Sequence, residues 1–397
     1  MKTERSLRVC AVVALTVILQ SCASVAPRNA VPEELVEEAS VPPGMQARMW
    51  GDAAPENFDE LVEIFRQQLV RDGGEEALAI PRSMLLISGG GANGAFGAGL
   101  LKGWTESGTR PEMTIVTGIS TGALIAPYAF LGSDYDDELE TLYTTLYTKD
   151  IVKQRPLLSG LRGDALADTQ PLRELLQTYV DNQMIARIAQ EHERGRRLLI
   201  GTTNLDAKRP VIWNIGAIAA EGTKESAQLI RDVMLASASI PGLFPPVRIN
   251  VRVGDRVYDE LHVDGGVASQ VFLYPAQVDL RESARTVGAE GRITMYVIRN
   301  SILAPRWSEV KPKLGPVALT SISTLIRTQG MGDLYRLYLG AKRDRISFRL
   351  AYIPETFNLE PEEEFDPVYM RGLFDLGYNM ARDGYEWERS PPGVALP

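Results

Sequence analysis

The sequence predicts an α/β fold in which helices cover a largely parallel sheet. Two apolar, strand-like runs, at 84–88 and 113–117, are each followed by a glycine-containing turn and a helical pattern. Later apolar runs at 197–203, 211–213 and 293–298 are typical of further strands of the same sheet. With 397 residues, 45% of them hydrophobic and 23% charged, the chain is too apolar for bulk disorder. Its length predicts one large α/β domain with extensions, or two domains.

The N-terminus has the pattern of a secretory signal peptide over residues 1–21. A short basic region, MKTERSLR, precedes the apolar run VCAVVALTVIL, which is too short to span a bilayer comfortably. A buried helix is the alternative interpretation of this run. Leu19, Ser21 and Cys22 resemble a bacterial lipobox, which implies that Cys22 is lipidated and begins the mature chain. Since Ala23 is not aspartate, we expect an anchor at the periplasmic face of the outer membrane.

Charge and residue usage exclude several classes of function. The chain carries a net charge of −9 and has no run of Lys and Arg, so nucleic acid is not expected as a partner. Only two histidines occur, His192 and His262, which excludes a multi-histidine metal centre. Cys10 would leave with the signal peptide and Cys22 would carry lipid, so no disulfide is expected. An acidic body does not adhere to an anionic membrane by charge, and attachment would therefore depend on the acyl chains.

The segment 22–80 is predicted to be a lipid-anchored tether followed by an amphipathic helix. Residues 23–56 are rich in Pro, Glu and Ala, which is typical of a linker and not of a core. From Phe58 to Leu69, apolar residues recur at helical spacing and predict a helix that packs on the domain. Farther along, residues 149–168 lack a clear period and are interpreted either as a lid or as a surface connection.

A glycine loop follows the first predicted strand. Gly89, Gly91 and Gly94 match G-x-G-x-x-G, which can bind a dinucleotide at a helix N-terminus. A dinucleotide site needs an acidic residue at the end of the second strand, but that strand ends in Thr117-Gly118, and no G-K-[ST] follows to make a P-loop. The remaining functional interpretation is a set of backbone N–H donors for an oxyanion. Taken alone, the motif fits a structural turn better.

A second motif places a serine between two glycines. Gly118, Ser120 and Gly122 form G-x-S-x-G between a predicted strand and a predicted helix, the context in which a sharp turn exposes a nucleophilic hydroxyl. The alternative is an ordinary buried turn. A third motif, Asp264-Gly265-Gly266, ends the apolar run 257–263. It fits a turn when taken alone, but burial could raise the pKa of Asp264 and make it a general base.

The three motifs together resemble the patatin-like phospholipases. GGGANG, GISTG and DGG occur in that order over about residues 81–290, and TTNLDAKRPVIWNIG and LASASIPGLFPPV are also similar to that family. The resemblance implies a three-layer α/β/α fold with a mostly parallel central sheet, a catalytic domain over 81–290 and a C-terminal α/β extension over 291–397. It also implies a Ser120–Asp264 dyad without histidine, with no metal or cofactor. The implied oxyanion loop comprises Gly89, Gly90, Gly91, Asn93 and Gly94.

The implied activity is release of fatty acid from phospholipid or other acyl esters. Asn93 departs from the Arg or Lys that the family often has at the fifth position of the loop, so oxyanion stabilisation is expected to depend more on the backbone. A lipid-binding or envelope-maintenance lipoprotein without turnover is the rival hypothesis, and an unreactive Ser120 would favour it.

The two histidines are expected to stay outside the chemistry. His192 lies in a charged stretch, EHERGRR, which predicts a solvated helix end. His262 lies two residues before Asp264 on a predicted strand and cannot easily stand between the serine and the carboxylate. We therefore expect it to pack beside the strand end, and we expect no steep rate change near pH 6.5, where histidine titrates.

Overall fold

The computed structural model describes residues 27–154, 165, 167–289 and 291–394. The predicted signal peptide and Cys22 lie outside the described residues, as do ten consecutive residues, 155–164, of the proposed lid. Among the residues that are described, no helix combines the length and the apolar character needed to cross a membrane.

The described chain alternates strands and helices. The strands are β1 Arg48–Trp50, β2 Arg82–Ile87, β3 Met113–Gly118, β4 Lys153–Gln154, β5 Ala167–Asp168, β6 Arg197–Asn204, β7 Arg209–Asn214, β8 Val247–Val253, β9 Arg256–Asp264, β10 Ile293–Arg299 and β11 Ser347–Tyr352. The helices are α1 Phe58–Gly73, α2 Gly94–Glu106, α3 Thr121–Leu131, α4 Asp136–Thr145, α5 Thr148–Ile151, α6 Gln170–Tyr179, α7 Asn182–Glu193, α8 Ile215–Ala220, α9 Lys224–Ser237, α10 Leu280–Thr286, α11 Leu314–Arg343 and α12 Pro367–Ala381.

Nine of the described strands form one mixed sheet with a parallel centre. Its main path is β1-β7-β6-β3-β2-β10-β11, and the hairpin β8-β9 joins it through β6. Strands β6, β3, β2, β10 and β11 are parallel, whereas β1, β7, β8 and β9 pair antiparallel to their neighbours. This arrangement confirms the predicted α/β fold with its mostly parallel central sheet. Residues 291–394 contribute β10 and β11, so they belong to the same sheet as the two glycine motifs.

Both faces of the sheet are covered, as the near-continuous apolar sequence of β2 predicts. Leu85 and Ile87 belong to the core that also contains side chains of α2, α3 and α12. Met84 and Leu86 point to the other face and belong to a second core with side chains of α11. Because successive side chains of a strand point to opposite faces, the two cores lie on opposite sides of one sheet. The structure therefore has three layers.

Strand β6 divides the sheet into two branches. Its first half, through Ile200, pairs parallel with β3, and Thr202 to Asn204 pair antiparallel with the end of β9. The branch point brings the carboxyl ends of β3 and β9 to the same place, although their residues lie more than a hundred positions apart. This is where the serine and aspartate motifs meet.

The N-terminal segment differs from the predicted tether. Ala39, Val41 and Ala47 are buried in the main core, and β1 adds to the sheet beside β7. Arg28 pairs with Asp259 and Arg48 pairs with Glu260, so ion pairs also tie the segment to β9. A composition rich in Pro and Glu predicts little core, but these contacts are made with partners distant in sequence, which composition does not reveal. The amphipathic helix is present as α1.

Candidate active site

Ser120 occupies a sharp turn between β3 and α3. Its backbone has φ 56° and ψ −126°, a conformation that non-glycine residues rarely adopt. The flanking glycines make the turn possible, since a Cβ on Gly118 would lie 2.3 Å from the carbonyl oxygen of Gly122, and one on Gly122 would lie 2.3 Å from that of Ile87. A strained, tightly packed residue of this kind is typical of a functional site.

The backbone of Ser120 is held by a serine that the motifs did not single out. The N–H of Ser120 donates to Oγ of Ser237 at 3.0 Å, and the Ser237 hydroxyl donates to the carbonyl of Gly201 at 2.7 Å. Ser237 thus links the turn to the branch point of β6. Its place in LASASIPGLFPPV, one of the stretches similar to the family, was the available signal.

Asp264 ends β9 and is buried beside Ser120. Its Oδ1 accepts a hydrogen bond from the N–H of Gly266 at 2.7 Å, and its own N–H donates to the carbonyl of Ser239 at 2.9 Å. Burial raises the pKa of Asp264 to about 6, although the interactions with the Ser120 hydroxyl and the Gly266 N–H act in the opposite direction. A Cβ on Gly265 would lie 2.5 Å from the Gly201 carbonyl oxygen, so this turn also requires glycine.

The pKa of Asp264 corrects one expectation. A carboxylate that titrates near pH 6 makes a steep rate change near that pH compatible with a site that contains no histidine. The expected absence of such a change applies to a histidine that titrates near pH 6.5, and not to a buried carboxylate whose pKa is raised. A pH profile alone therefore does not distinguish the two possible bases.

The glycine loop follows β2, and fewer of its backbone N–H groups are free to bind an oxyanion than the motif implies. The N–H of Gly89 donates to the carbonyl of Gln270, that of Asn93 to Gly90, and that of Gly94 to the carbonyls of Ala92 and Gly91. Gly90 and Gly91 have positive φ values of 159° and 57°. Within the described chain, no hydrogen-bond acceptor is found for their N–H groups or for that of Ala92, so these amides of the loop are available for an oxyanion.

Two residues outside the motifs shape the glycine loop. A Cβ on Gly90 would lie 2.4 Å from the carbonyl oxygen of Asn300, whose side chain bonds Ser88 and Gly97. Gln270 accepts the bond from Gly89, and its side chain donates to the carbonyl of Gly266 at 2.8 Å. Gln270 thereby joins the glycine loop to the Asp-Gly-Gly turn. Neither residue stands in a recognisable motif.

Asn93, the departure from the family pattern, is held by a distant tyrosine. The hydroxyl of Tyr369, in α12, donates to Oδ1 of Asn93 at 2.6 Å. The amide oxygen of Asn93 thus accepts a bond from Tyr369. Its NH₂ group can donate a hydrogen bond but carries no charge.

A cation lies behind the glycine loop. Arg299, at the end of β10, is 3% exposed, and its guanidinium donates to the carbonyl of Gly89 at 3.3 Å. Its Nε has no hydrogen-bond partner among the described atoms, and burial lowers its pKa to about 10. Gly330 of α11 makes room for it, because a Cβ there would lie 2.5 Å from the guanidinium. At pH 7 the side chain therefore remains positively charged.

His262 packs beside the strand end, as expected. Its Nδ1 lies 2.9 Å from Oγ1 of Thr202, and its Nε2 lies 3.0 Å from the carboxylate of Glu260. Because the Trp213 indole N–H donates to the same Thr202 oxygen at 2.7 Å, the threonine hydroxyl is free to donate to Nδ1. The ring is then neutral with its proton on Nε2, and burial lowers its pKa. Both ring nitrogens are occupied away from the serine.

His192 differs from the predicted solvated helix end. It is buried, and Gly216 of α8 lies against its ring, where a Cβ would be 2.7 Å from Nδ1. Burial lowers its pKa to about 3. The misleading signal was the charge of its neighbours, since His192 continues the apolar stripe of Ile185 and Ile188 on α7. Across the described residues, no three His, Cys, Asp or Glu side chains form a group suited to a metal ion.

Ser120 and Gly91 are among the residues that line an apolar cavity of about 100 Å³. Much of its wall is made of large apolar side chains, among them Leu124, Leu142, Leu172, Leu176, Met234 and Phe244. A larger cleft of about 810 Å³ is lined by Ile119 and Gly265, but Ser120 does not line it. The smaller cavity is therefore the one in which a bound group would contact the serine.

Residues 85–276 match the family model described as Patatin-like phospholipase. No curated protein matches. Among solved structures, the chain is similar to VipD from Legionella pneumophila (14% identity, TM-score 0.38, 76% of this chain and 66% of that one). It is also similar to human GIVD cytosolic phospholipase A2 (14% identity, TM-score 0.30, 72% of this chain and 52% of that one). A third similar structure is the type III effector protein ExoU (13% identity, TM-score 0.22, 78% of this chain and 55% of that one). The chain thus spans between half and two thirds of these three chains.

Proposed function

Because residues 85–276 belong to the patatin-like phospholipase family, we propose that this chain is a serine acyl hydrolase that releases fatty acids from phospholipids or other acyl esters. One observation supports the proposal above the others. Ser120, on a strained turn, lies close enough to the buried carboxylate of Asp264 to affect its pKa, and it also lines an apolar cavity. This arrangement supports Ser120 as the nucleophile, Asp264 as the base and the apolar cavity as a site for part of an acyl chain.

In the proposed reaction, Oγ of Ser120 attacks the ester carbonyl carbon while Asp264 accepts the hydroxyl proton. The negative charge on the carbonyl oxygen is stabilised by the N–H groups of Gly90 and Gly91. The tetrahedral intermediate then breaks the bond to the leaving alcohol, which takes the proton from Asp264, and an acyl-enzyme remains. Water, deprotonated by the same carboxylate, releases the fatty acid and restores Ser120.

Asp264 suits this role because its pKa of about 6 lies close to neutral pH. At pH 7 it is mostly ionised, so it can accept a proton, and it is more basic than an ordinary aspartate. His262 does not compete for the role, since both of its nitrogens bond to Thr202 and Glu260.

We also propose that Arg299 supplies the charge that Asn93 lacks. The guanidinium donates to the carbonyl of Gly89, which belongs to the same peptide unit as the N–H of Gly90. A cation at that carbonyl polarises the peptide and makes its N–H a stronger donor. Arg299 would thus act through the peptide as a positioning residue, without touching the substrate.

The anchor remains a proposal as well. We propose that Cys22 is lipidated and holds the protein at the periplasmic face of the outer membrane, which contains acyl esters. The basis is the sequence pattern of residues 1–22.

Labelling with a fluorophosphonate probe tests the dyad. The wild-type protein is expected to label at Ser120, and Ser120→Ala is expected neither to label nor to release fatty acid from a bacterial lipid extract analysed by mass spectrometry. Asp264→Asn should lower release on the order of 10²-fold or more. The matched control is Asp255→Asn, which removes an exposed carboxylate from the turn between β8 and β9. Labelling of folded Ser120→Ala would place the nucleophile elsewhere.

A further inference from the structure

Half of the long helix α11 projects from the body of the protein. The described side chains from Pro305 to Ile326, here called the projecting segment, are all exposed. From Leu314 onward, its described hydrogen bonds remain within the helix or join it to Lys313. The other half of α11 packs in the second core through Leu334 and Tyr338.

The projecting segment exposes large apolar side chains. Trp307 and Leu314 are each 89% exposed, and Leu325 is 69% exposed. Val317 and Ile322 are also exposed. At about 100° per residue, Leu314, Ile322 and Leu325 lie on one side of the helix, opposite the direction of Leu334. Contiguous exposed apolar surface of this kind marks an interaction site.

The charge of this region is opposite to that of the whole chain. The projecting segment has three basic residues, Arg306, Lys311 and Lys313, and one acidic residue, Glu309, in a chain of net charge −9. Apolar residues, a tryptophan and lysines side by side are typical of segments that lie in a membrane interface.

The projecting segment is attached to the body beside the active site at both ends. Arg299, shortly before it, contacts the glycine loop through Gly89. Asp333, shortly after it, accepts hydrogen bonds from the N–H of Gln270 at 2.6 Å and from Ser269, which follow the Asp-Gly-Gly turn. A surface that binds this segment is therefore brought next to the candidate active site.

We propose that the projecting segment docks on an anionic lipid surface and brings the active site to its substrate. The purpose of docking rests on the proposed function, but docking itself does not, because the exposure and the charge are properties of the segment. A second copy of the chain fits less well, since a symmetric contact through this segment would bring the lysines of the two copies together with Glu309 as the only acidic residue of the segment.

Binding to vesicles tests the proposal without depending on catalysis. The chain from residue 22 onward carrying Cys22→Ser, so that neither the apolar signal segment nor an acyl anchor contributes, would be floated with vesicles of phosphatidylcholine, with or without phosphatidylglycerol. Trp307→Ser/Leu314→Ser/Leu325→Ser is expected to bind about tenfold or more weakly. The matched control, Ile80→Ser/Val257→Ser/Val368→Ser, removes three apolar side chains that are exposed elsewhere and is expected to bind as the parent does.

Two further measurements show which contact is made. Brominated lipids should quench fluorescence in the parent more than in Trp307→Phe. Lys311→Glu/Lys313→Glu should lose the preference for phosphatidylglycerol while keeping the same circular dichroism spectrum. Equal binding of the triple serine variant and its control would overturn the proposal, as would dimerisation of the parent in sedimentation that the triple variant abolishes. If the fluorophosphonate probe did not label Ser120 but vesicle binding were intact, the proposed function would be rejected and the docking proposal would stand.

Discussion

Replacing Asp264 with asparagine is expected to stabilise the protein at neutral pH while it removes activity. Asp264 is 5% exposed, and no cation is among the groups that shift its pKa. Its ionised form is stabilised by the N–H of Gly266 and by Ser120, but these contacts do not offset the loss of hydration. Asparagine has a similar shape and keeps an oxygen that can accept from Gly266, but it carries no charge.

The size of the effect follows from the pKa of Asp264. Burial raises it from an ordinary 3.8 to about 6, so the folded protein binds this proton more tightly than the unfolded chain does. The resulting stability is fully present below pH 3.8 and is lost as the pH rises through 6. Above pH 6, the charged group costs the folded state about 3 kcal/mol, on the order of 1.4 kcal/mol per pKa unit. Asp264→Asn removes this cost.

Denaturant unfolding at two pH values measures the difference. At pH 7.5, Asp264→Asn should unfold at higher denaturant than the wild type, by up to about 3 kcal/mol, and near pH 4 the gap should largely close. Asp255→Asn, at an exposed turn, should show no such pH-dependent gap. If Asp264→Asn were less stable at pH 7.5, or if its advantage were the same at both pH values, burial of a charged carboxylate would not be the cause.

Four other outcomes are expected. The value of kcat/KM should rise with pH through about 6 as Asp264 ionises, and a flat profile between pH 5 and 7 would contradict a buried carboxylate base. His262→Asn should leave that profile in place and lower kcat/KM by less than about tenfold, although losing two buried hydrogen bonds should lower the free energy of unfolding by about 2 kcal/mol or more. Arg299→Met should lower kcat about tenfold with little change in KM, and Arg299→Lys should recover part of the loss; a change in KM alone would indicate a merely structural role. Cys22→Ser should keep the protein out of the detergent-extracted outer membrane fraction, and mass spectrometry of an acyl-free wild-type N-terminus would contradict the anchor.

The features that sequence predicts best are those built by neighbouring residues. The turns at Ser120, Gly90 and Asp264 each contain glycines whose positions are visible in the sequence, although the carbonyls that require glycine at 90 and 265 come from distant residues. Periodic apolar runs likewise predict β2, β3 and α1. The meeting of Ser120 with Asp264, by contrast, came from the resemblance and not from the residues themselves, because it depends on how β6 pairs with two different strands.

What the sequence did not reveal depends on contacts across the fold. Arg299 reaches the glycine loop 210 residues earlier, and Tyr369 reaches Asn93 across 276 residues. The burial of Val41 has the same origin, because the segment that carries it is held by ion pairs to β9. For His192, the spacing after Ile188 predicts a core position, whereas the charge of its neighbours predicts an exposed one, and the spacing is the better signal.

His262 and Asp264, two of the buried polar residues on β9, illustrate why a carboxylate and not an imidazole is the candidate base. His262 and Asp264 point to the same face of the strand, but the histidine lies one residue pair farther from the branch point, opposite Asn204, where Thr202 and Glu260 bind both of its nitrogens. Asp264, the last residue of β9, lies at the serine turn. It has too few polar partners there to offset its burial, so its pKa is raised above that of an ordinary aspartate. The desolvation that destabilises the folded protein at neutral pH is thus also what makes Asp264 basic enough to accept a proton from Ser120. A variant that restored its ordinary pKa by adding a nearby cation should be more stable and less active.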